Sequence, residues 1–310
     1  MQHDRVVIVT GAMGGMGVAF TRKLLDDGWR VAALDLQAAI DAAPPLPPAP
    51  AASPGRPASD PRPPAAADAA PPTSLASAAS PGWPASDAPP PAAPPDAAGA
   101  PSTAPDRLVR IGCDVADWES VRRAVDAAVA RLGRVDAVVN GAGIVANIAS
   151  IAKMDPAKWA WELSVNLTGP FHLIKATAPA MADSGWGRFV NISSQAAQVG
   201  LRYQSAYCAS KAGLLGLMRV VVAEYGHKGV TCNTLLPGLI ATPKVLGMPK
   251  DILDRAVEGI PTGRPGTVEE MAEAAAFLLS DKAAFINGAT IDIDGGKHVQ
   301  IGDLTRRREK

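Results

Sequence analysis

Residues 6–17 read VVIVTGAMGGMG, and this stretch decides the fold of the 310-residue chain. The four β-branched apolar residues at 6–9 favour a strand that is buried on both faces. The glycines after Thr10 permit a tight turn into a helix, whose first backbone N–H groups form a binding site for phosphate. A tight turn needs glycine in any case, so the cluster alone leaves a purely structural role open. The stretch therefore predicts strand, turn and helix, with a dinucleotide cradle as the functional hypothesis.

The same alternation of strand and helix continues along the chain. Strands are predicted at about 5–10, 30–35, 108–113, 135–139, 188–193, 229–234 and 289–293, and helices at 15–27, 117–132, 156–182, 206–226 and 268–279. The strands are apolar throughout, which is typical of a parallel sheet covered by helices on both faces. We predict an α/β fold with a doubly wound, Rossmann-like parallel sheet and a functional site at the carboxyl ends of its strands.

One segment interrupts this alternation. Residues 41–105 hold 21 of the 29 prolines of the chain together with 22 alanines and a single aromatic residue, Trp83. Such a composition buries too little apolar surface to form a core, so we expect disorder over 41–105. We interpret 38–106 as a low-complexity insertion between the second and third strands of one domain spanning 1–310. The residues at 299–310 are predicted to form a polar tail.

Charge and composition exclude several classes of protein. The formal net charge is zero and the pI is about 6.9, which favours neither nucleic acid nor an anionic membrane as a partner. The apolar run at 6–9 is too short for a signal peptide or a membrane span, so we expect a cytoplasmic protein. The three cysteines and four histidines are scattered without ligand spacing, and no disulfide framework or metal site is predicted.

An aspartate ends the second predicted strand. Asp35 follows Gly11 by 24 residues, where an acid would accept hydrogen bonds from the adenosine ribose hydroxyls. A terminal aspartate can also serve only as a turn or cap residue. Neither Met13-Gly14 nor Leu36-Gln37 supplies a cation for a 2′-phosphate. The pattern therefore favours NAD over NADP.

A tyrosine and a lysine four residues apart begin a later predicted helix. Tyr207 and Lys211 share one helix face, and the pair Ser193-Ser194 precedes them. A phenol titrates near pH 10, so it becomes a useful base only when a fixed positive charge stabilises the phenolate. By itself this spacing is more often a packed tyrosine and a solvated lysine.

Taken together, these motifs resemble the short-chain dehydrogenase/reductase family. The resemblance is carried by T-G-x-x-x-G-x-G at 10–17, Asp114-Val115, Asn140-Gly141-Ala142-Gly143, Asn166, Ser194 thirteen residues before Tyr207, Lys211, Pro237-Gly238 with Thr242, and Asp294-Gly295-Gly296. They occur in the family's order over 5–36 and 107–296. In place of the usual Asn-Asn-Ala-Gly, this chain has glycine at the second position.

The resemblance implies a role for each matched residue. The catalytic set would be Asn166, Ser194, Tyr207 and Lys211. Tyr207 would exchange a proton with the substrate oxygen, Ser194 would hold that oxygen, and Lys211 would lower the tyrosine pKa and bind the nicotinamide ribose. The NAD-binding residues would be Gly11, Gly15, Met16, Gly17, Asp35, Asp114, Val115, Asn140, Ala142, Gly143, Tyr207, Lys211, Pro237, Gly238, Ile240 and Thr242. The family also implies a homotetramer or homodimer.

Asn166 would hold a water through its main chain, and the sequence offers one physical reason. Pro170 follows Asn166 by four residues inside the predicted helix and has no N–H to donate, so the Asn166 carbonyl lacks its helical partner. The proline could equally produce only a kink.

The function predicted from these residues is hydride transfer between NAD(H) and a secondary alcohol or ketone. The alternatives are an NADPH-dependent 3-oxoacyl thioester reductase and a non-catalytic nicotinamide-binding scaffold. The substrate is expected to be a partly apolar small molecule lined by residues from 195–203 and 239–260. Its identity is not predicted.

Overall fold

We analysed a computed structural model of the chain that describes residues 4–43, 107–145 and 147–299. The strands are β1 (Val6–Thr10), β2 (Arg30–Asp35), β3 (Leu108–Gly112), β4 (Ala137–Asn140), β5 (Gly187–Ile192), β6 (Val230–Pro237) and β7 (Thr290–Ile293). The α-helices are α1 (Gly15–Asp26), α2 (Gln37–Ala42), α3 (Trp118–Leu132), α4 (Pro156–Leu163), α5 (Gly169–Asp183), α6 (Ser205–Tyr225), α7 (Pro243–Leu246), α8 (Lys250–Glu258) and α9 (Val268–Leu279).

The seven strands form one parallel sheet in the order β3-β2-β1-β4-β5-β6-β7. The chain winds outward from β1 in one direction through β2 and β3, then returns to the other side of β1 with β4. This reversal between β1 and β4 leaves a crevice beyond the carboxyl ends of the strands, where doubly wound sheets bind their ligands. The predicted doubly wound, Rossmann-like fold is confirmed.

Residues of β1 explain why the sheet needs helices on both faces. Val6 and Ile8 pack into one apolar core, and Val7 and Val9 pack into a second core on the opposite face. Successive side chains of a strand point to opposite faces, so a strand that is apolar throughout must be covered twice. The helices α3, α5 and α6 contribute to the first core, and α1 and α9 contribute to the second.

The segment after β2 begins with a helix that the sequence analysis did not predict. Residues 37–42 contain no proline and are rich in alanine, and the Gln37 side chain donates to the Asp41 carboxylate at 2.7 Å. The insertion predicted for 38–106 therefore opens with the ordered helix α2. The remainder of that prediction, 44–106, lies outside the described residues, as does the predicted tail beyond 299.

The helix predicted over 156–182 is interrupted near its middle. α4 ends at Leu163, a π-helical turn covers Ser164–Thr168, and α5 begins at Gly169. The Gly169 N–H donates to the Ser164 carbonyl five residues back, which is a π-helical bond. Pro170 stands in the first turn of α5, and the helical backbone angles continue through Thr168 and Gly169, so α4, the π-helical turn and α5 form one interrupted helix. The water that the Asn166 carbonyl is expected to hold stays a prediction. The interruption lies where π-helical turns are often found, beside a functional site.

Among the described residues, one helix is long and apolar enough by composition to span a membrane. It covers Ser205–Lys228 with a mean hydropathy of 1.4, and a third of that apolar stretch is buried. In this fold it packs against β6 and buries six residues of α6, among them Lys211.

Candidate active site

A cleft of about 920 Å³ opens at the carboxyl ends of the strands. Most residues that the sequence predicted for the site line it. They are Gly11, Gly15, Met16, Gly17, Asp35, Asp114, Val115, Ala142, Gly143, Ser194, Tyr207, Lys211, Pro237, Gly238, Ile240 and Thr242. The parallel sheet brings these residues together because the loops after β1, β2, β3, β4, β5 and β6 all leave it at the same edge.

The glycine-rich loop between β1 and α1 is shaped by close backbone contacts. Gly11 has a φ of +66°, which favours glycine, and a Cβ on Gly17 would lie 2.0 Å from the Gly11 carbonyl oxygen. Gly14 precedes α1 without a side-chain cap, so the first N–H groups of the helix are left for another acceptor. Both explanations that the sequence left open therefore apply, since the glycines make the turn and the turn leaves an anion-binding helix end.

Replacing Gly17 with alanine is expected to deform this loop. The new methyl group must displace the Gly11 carbonyl, which should lower the free energy of unfolding by about 1–3 kcal/mol. NADH binding, measured by fluorescence titration, should weaken about tenfold or more because the helix N–H groups move. Gly216→Ala is the matched control, since a Cβ there meets nothing within 4 Å. Equal behaviour of the two variants would contradict the steric role of Gly17.

Asp35 is held by two backbone N–H groups at the far end of the cleft. Its Oδ2 accepts from the Met13 N–H at 2.9 Å, and its Oδ1 accepts from the Leu36 N–H at 2.8 Å. The first bond ties the end of β2 to the glycine-rich loop, so Asp35 does have a turn-stabilising role. The side chain also lines the cleft, and each carboxylate oxygen can accept a further hydrogen bond.

The predicted catalytic serine, tyrosine and lysine meet on the floor of the cleft. The Tyr207 hydroxyl lies beside the Ser194 side chain, which acts to lower the tyrosine pKa, and Ser194 Oγ accepts from the Ala196 N–H at 3.1 Å. Lys211 Nζ lies 5.8 Å from the centre of the Tyr207 ring and donates to the Ile192 carbonyl at 2.8 Å. The neighbouring Ser193 instead donates to the Lys211 main-chain carbonyl. Of the two serines, Ser194 is therefore the one that contacts the tyrosine.

Burial dominates the electrostatics of this floor. It raises the pKa of the Tyr207 hydroxyl above its usual range, and the neighbouring Ser194 side chain acts in the opposite direction. It also lowers the pKa of the Lys211 ammonium to about 8. The sequence analysis expected Lys211 to lower the tyrosine pKa, but in this structure desolvation of the phenol outweighs any such effect.

Two asparagines predicted for the site lie behind its lining. Asn166 is fully buried in the π-helical turn, where its amide group bonds to both the N–H and the carbonyl of Ile144 at 2.8 Å. These two hydrogen bonds hold the loop after β4 against the π-helical turn. Asn140 donates to Asn191 at 2.9 Å and joins β4 to β5 rather than facing the cleft. Its expected cofactor contact stays a prediction.

The structure places part of the expected substrate lining in the cleft. From the predicted segment 239–260, Ile240 and residues 242–245 line the cleft, whereas Leu246 is an exposed surface residue. Gln195, from the other predicted segment, hydrogen-bonds Asp294. Trp161 and Lys244 line the cleft and were not singled out from the sequence. A helix-periodic pattern identifies Trp161 as lying on α4, but its position over the cleft depends on tertiary packing.

Within the described part of the chain, Asp292, Asp294 and His298 bring their ligand atoms within 4.8 Å of one another. The Asp294 carboxylate already accepts from Gly296 N–H and from both the N–H and the ring of His298. Hydrogen bonds within the chain thus account for this cluster.

Comparisons with known proteins agree with this geometry. The family model described as Enoyl-(Acyl carrier protein) reductase matches residues 95–298, which include Ser194, Tyr207 and Lys211. An acetoacetyl-CoA reductase from Cupriavidus necator is 41% identical over 186 residues, which cover 60% of this chain and 75% of the relative. A D-threitol dehydrogenase from Mycolicibacterium smegmatis is 44% identical over 187 residues, covering 59% and 71%.

Solved structures extend the likeness to the whole fold. The crystal structure of levodione reductase superposes with a TM-score of 0.72 at 26% sequence identity, covering 96% of this chain and 98% of that one. A second structure, gox2181, gives 0.70 at 26% identity and covers 95% of both chains. The matches to the family model and to the solved structures agree with the parallel sheet, the glycine-rich loop and the serine, tyrosine and lysine in the cleft. The chain belongs to the short-chain dehydrogenase/reductase family of oxidoreductases.

Proposed function

We propose that the protein transfers a hydride between NAD(H) and a secondary alcohol or its ketone. The observation that carries this proposal is the floor of the cleft, where the Tyr207 hydroxyl lies beside the Ser194 side chain and Lys211 Nζ lies 5.8 Å from the centre of the tyrosine ring. The arrangement offers a proton donor and acceptor, a second hydroxyl for the same substrate oxygen, and a positive charge.

Each side chain has a separate task in this proposal. Ser194, oriented by the Ala196 N–H, holds the substrate oxygen against the Tyr207 hydroxyl. Tyr207 takes the alcohol proton during oxidation and returns it during reduction. Lys211 uses one N–H on the Ile192 carbonyl and retains two for a ribose hydroxyl and for electrostatic stabilisation of the phenolate. The bound nicotinamide supplies the hydride acceptor or donor.

The cleft fits a dinucleotide. The glycine-rich loop leaves the N-terminus of the twelve-residue helix α1 free for a pyrophosphate. Asp35, at the end of β2, is available for the adenosine ribose hydroxyls. A 2′-phosphate at the same place would meet this carboxylate, which supports NAD over NADP.

A second candidate has its own support. Three relatives are named acetoacetyl-CoA reductase, two at 41% identity and one at 38%. Reduction of a 3-oxoacyl thioester uses the same proton donor at the ketone oxygen, so the floor of the cleft serves both reactions. Asp35 favours NADH as the reductant in either reaction.

A substrate panel separates the candidates. We would follow nicotinamide absorbance at 340 nm with NAD and secondary alcohols, polyols and alicyclic alcohols, and with NADH or NADPH and acetoacetyl-CoA. Turnover of a simple alcohol with NAD supports the proposal, and exclusive turnover of the thioester supports the second candidate. NADH binding without turnover of any compound would instead support a non-catalytic nicotinamide-binding protein.

Coenzyme preference offers a sharper test of Asp35. The double change Asp35→Ala, Leu36→Arg removes the repelling carboxylate and adds a guanidinium for a 2′-phosphate. We expect the ratio of kcat/KM for NADP to that for NAD to rise about 10²-fold. Such a rise corresponds to about 2.8 kcal/mol of differential transition-state stabilisation, because each factor of ten corresponds to about 1.4 kcal/mol. Asp41→Ala, on the exposed face of α2, is the control and should leave the ratio unchanged. A parent enzyme with equal kcat/KM for the two coenzymes would refute the preference.

A further inference from the structure

Glu162 is a buried carboxylate that the proposed reaction does not use. Its side chain lies on α4 and is fully buried. Oε2 accepts from Asn147 Nδ2 at 3.2 Å, the Asn147 backbone N–H also donates to the carboxylate, and Oε1 makes no hydrogen bond with any described residue. A buried carboxylate with an unpartnered oxygen is costly, so Glu162 either takes up a proton or has its charge compensated by a nearby positive group.

The compensating charge comes from the helix that packs against α4. That helix is α6, which carries Tyr207 and Lys211. Burial raises the pKa of the Glu162 carboxyl group above its usual range, and the hydrogen bonding from Asn147 and the charge of Lys211 act in the opposite direction. Burial also lowers the pKa of the Lys211 ammonium to about 8, and the charge of Glu162 opposes that shift. In the part of the chain that the structure describes, Lys211 Nζ hydrogen-bonds Ile192 and not Glu162, so the two charges act on each other without a contact ion pair.

The surroundings of Glu162 contain few other ionisable groups. The loop after β4 presents the neutral amide of Asn147, and the π-helical turn Ser164–Thr168, which packs on α4, has no ionisable side chain. Two side chains of α6 interact electrostatically with Glu162. The charge of Lys211 acts on the carboxylate, and the negative charge of Glu162 contributes to the raised pKa of Tyr207. Removing this one carboxylate should therefore shift the titration of both Lys211 and Tyr207 toward lower pH.

We propose that Glu162 is the counter-carboxylate of Lys211, a positioning residue whose buried negative charge keeps the ammonium protonated beside Tyr207. A buried lysine without such a partner releases its proton at lower pH because the dry environment disfavours charge. Asn147 holds the carboxylate in its ionised form by donating two hydrogen bonds to it. The inference rests on the proposed catalytic role of Lys211, but its central test does not require turnover.

The test measures the titration of Lys211 directly. In protein labelled with ¹³C at lysine Cε, the Lys211 resonance is assigned by its loss in Lys211→Met and followed from pH 6 to 10. Glu162→Gln preserves the size and the hydrogen bonding to Asn147 while removing the charge. We expect the Lys211 midpoint, about 8 in the parent, to fall by about one pH unit.

Two further variants separate charge from packing. Glu162→Asp shortens the side chain but keeps the carboxylate, so the Lys211 midpoint should stay near the parental value even if stability falls. Asn147→Ala leaves Glu162 in place without its side-chain donor, which should move the midpoint in the same direction as Glu162→Gln but less far. Glu224→Gln, an exposed charge removal on α6, is the matched control and should not shift it.

Catalysis supplies an independent readout. Once a substrate is found, both limbs of the pH profile of kcat/KM should move to lower pH in Glu162→Gln, whereas a purely structural role would reduce the rate without moving them. An unchanged Lys211 midpoint in Glu162→Gln and Asn147→Ala would overturn the proposal. A shifted midpoint in a protein that turns over nothing would uphold it and refute the proposed function instead.

Discussion

Replacing Tyr207 with phenylalanine is expected to lower kcat by roughly 10²–10⁴-fold, the usual contribution of a general acid or base. The ring continues to pack at the start of α6, and only the hydroxyl beside Ser194 is lost. NADH affinity should therefore change by less than about twofold, because the hydroxyl acts on the substrate and not on the coenzyme. Steady-state kinetics and NADH fluorescence titration measure the two effects.

The comparison with Tyr203→Phe supplies the control for this result. Tyr203 lies in the loop before α6, is exposed, and adopts a left-handed backbone conformation with φ of 68°. Its variant should retain parental kcat, since its side chain does not line the cleft. More than a few per cent of activity left in Tyr207→Phe, or an equal loss in Tyr203→Phe, would remove Tyr207 from the proposed mechanism.

Replacing Lys211 with methionine is expected to damage both catalysis and coenzyme binding. The single ammonium is assigned to the phenolate and to the nicotinamide ribose, so kcat/KM should fall roughly 10²–10⁴-fold and NADH affinity about tenfold. Methionine is close to lysine in length, and Lys211 is buried, so the core of α6 should remain packed. Lys228→Met, an exposed change just beyond α6, should have no effect on either quantity.

The pH dependence of NADH binding provides a second test of the role of Lys211. Burial lowers the pKa of Lys211 to about 8, so its ammonium is present below that pH and is lost as the pH rises through it. NADH affinity of the parent should therefore weaken above about pH 8, while the affinity of Lys211→Met should show no such step. A step of equal size in both proteins would assign the titration to another group.

Much of the fold could be predicted because its signals are local. The apolar run at 6–9, the glycines that follow and the carboxylate of Asp35 lie within one strand-helix-strand unit, and their spacing reflects the geometry of that unit. Helical periodicity places Tyr207 and Lys211 on one face of a helix, and the resemblance to a known family assigns them, with Ser194, to the site. The sequence by itself therefore determined the parallel sheet and the location of the cleft, and the family motifs it carries indicated the serine, tyrosine and lysine on the floor.

The tertiary structure decided how buried polar groups find their partners. Asn140 pairs with Asn191 across two strands, Asn166 fastens Ile144, and Glu162 faces the charge of Lys211, all between residues at least 22 positions apart. No local sequence pattern distinguishes these side chains from solvent-exposed ones. Burial depends on how the helices pack onto the sheet and cannot be read from a short stretch of sequence. Hydrogen-bond and charge partners of buried groups, and the pKa values that follow from them, exist only once the helices have packed onto the sheet.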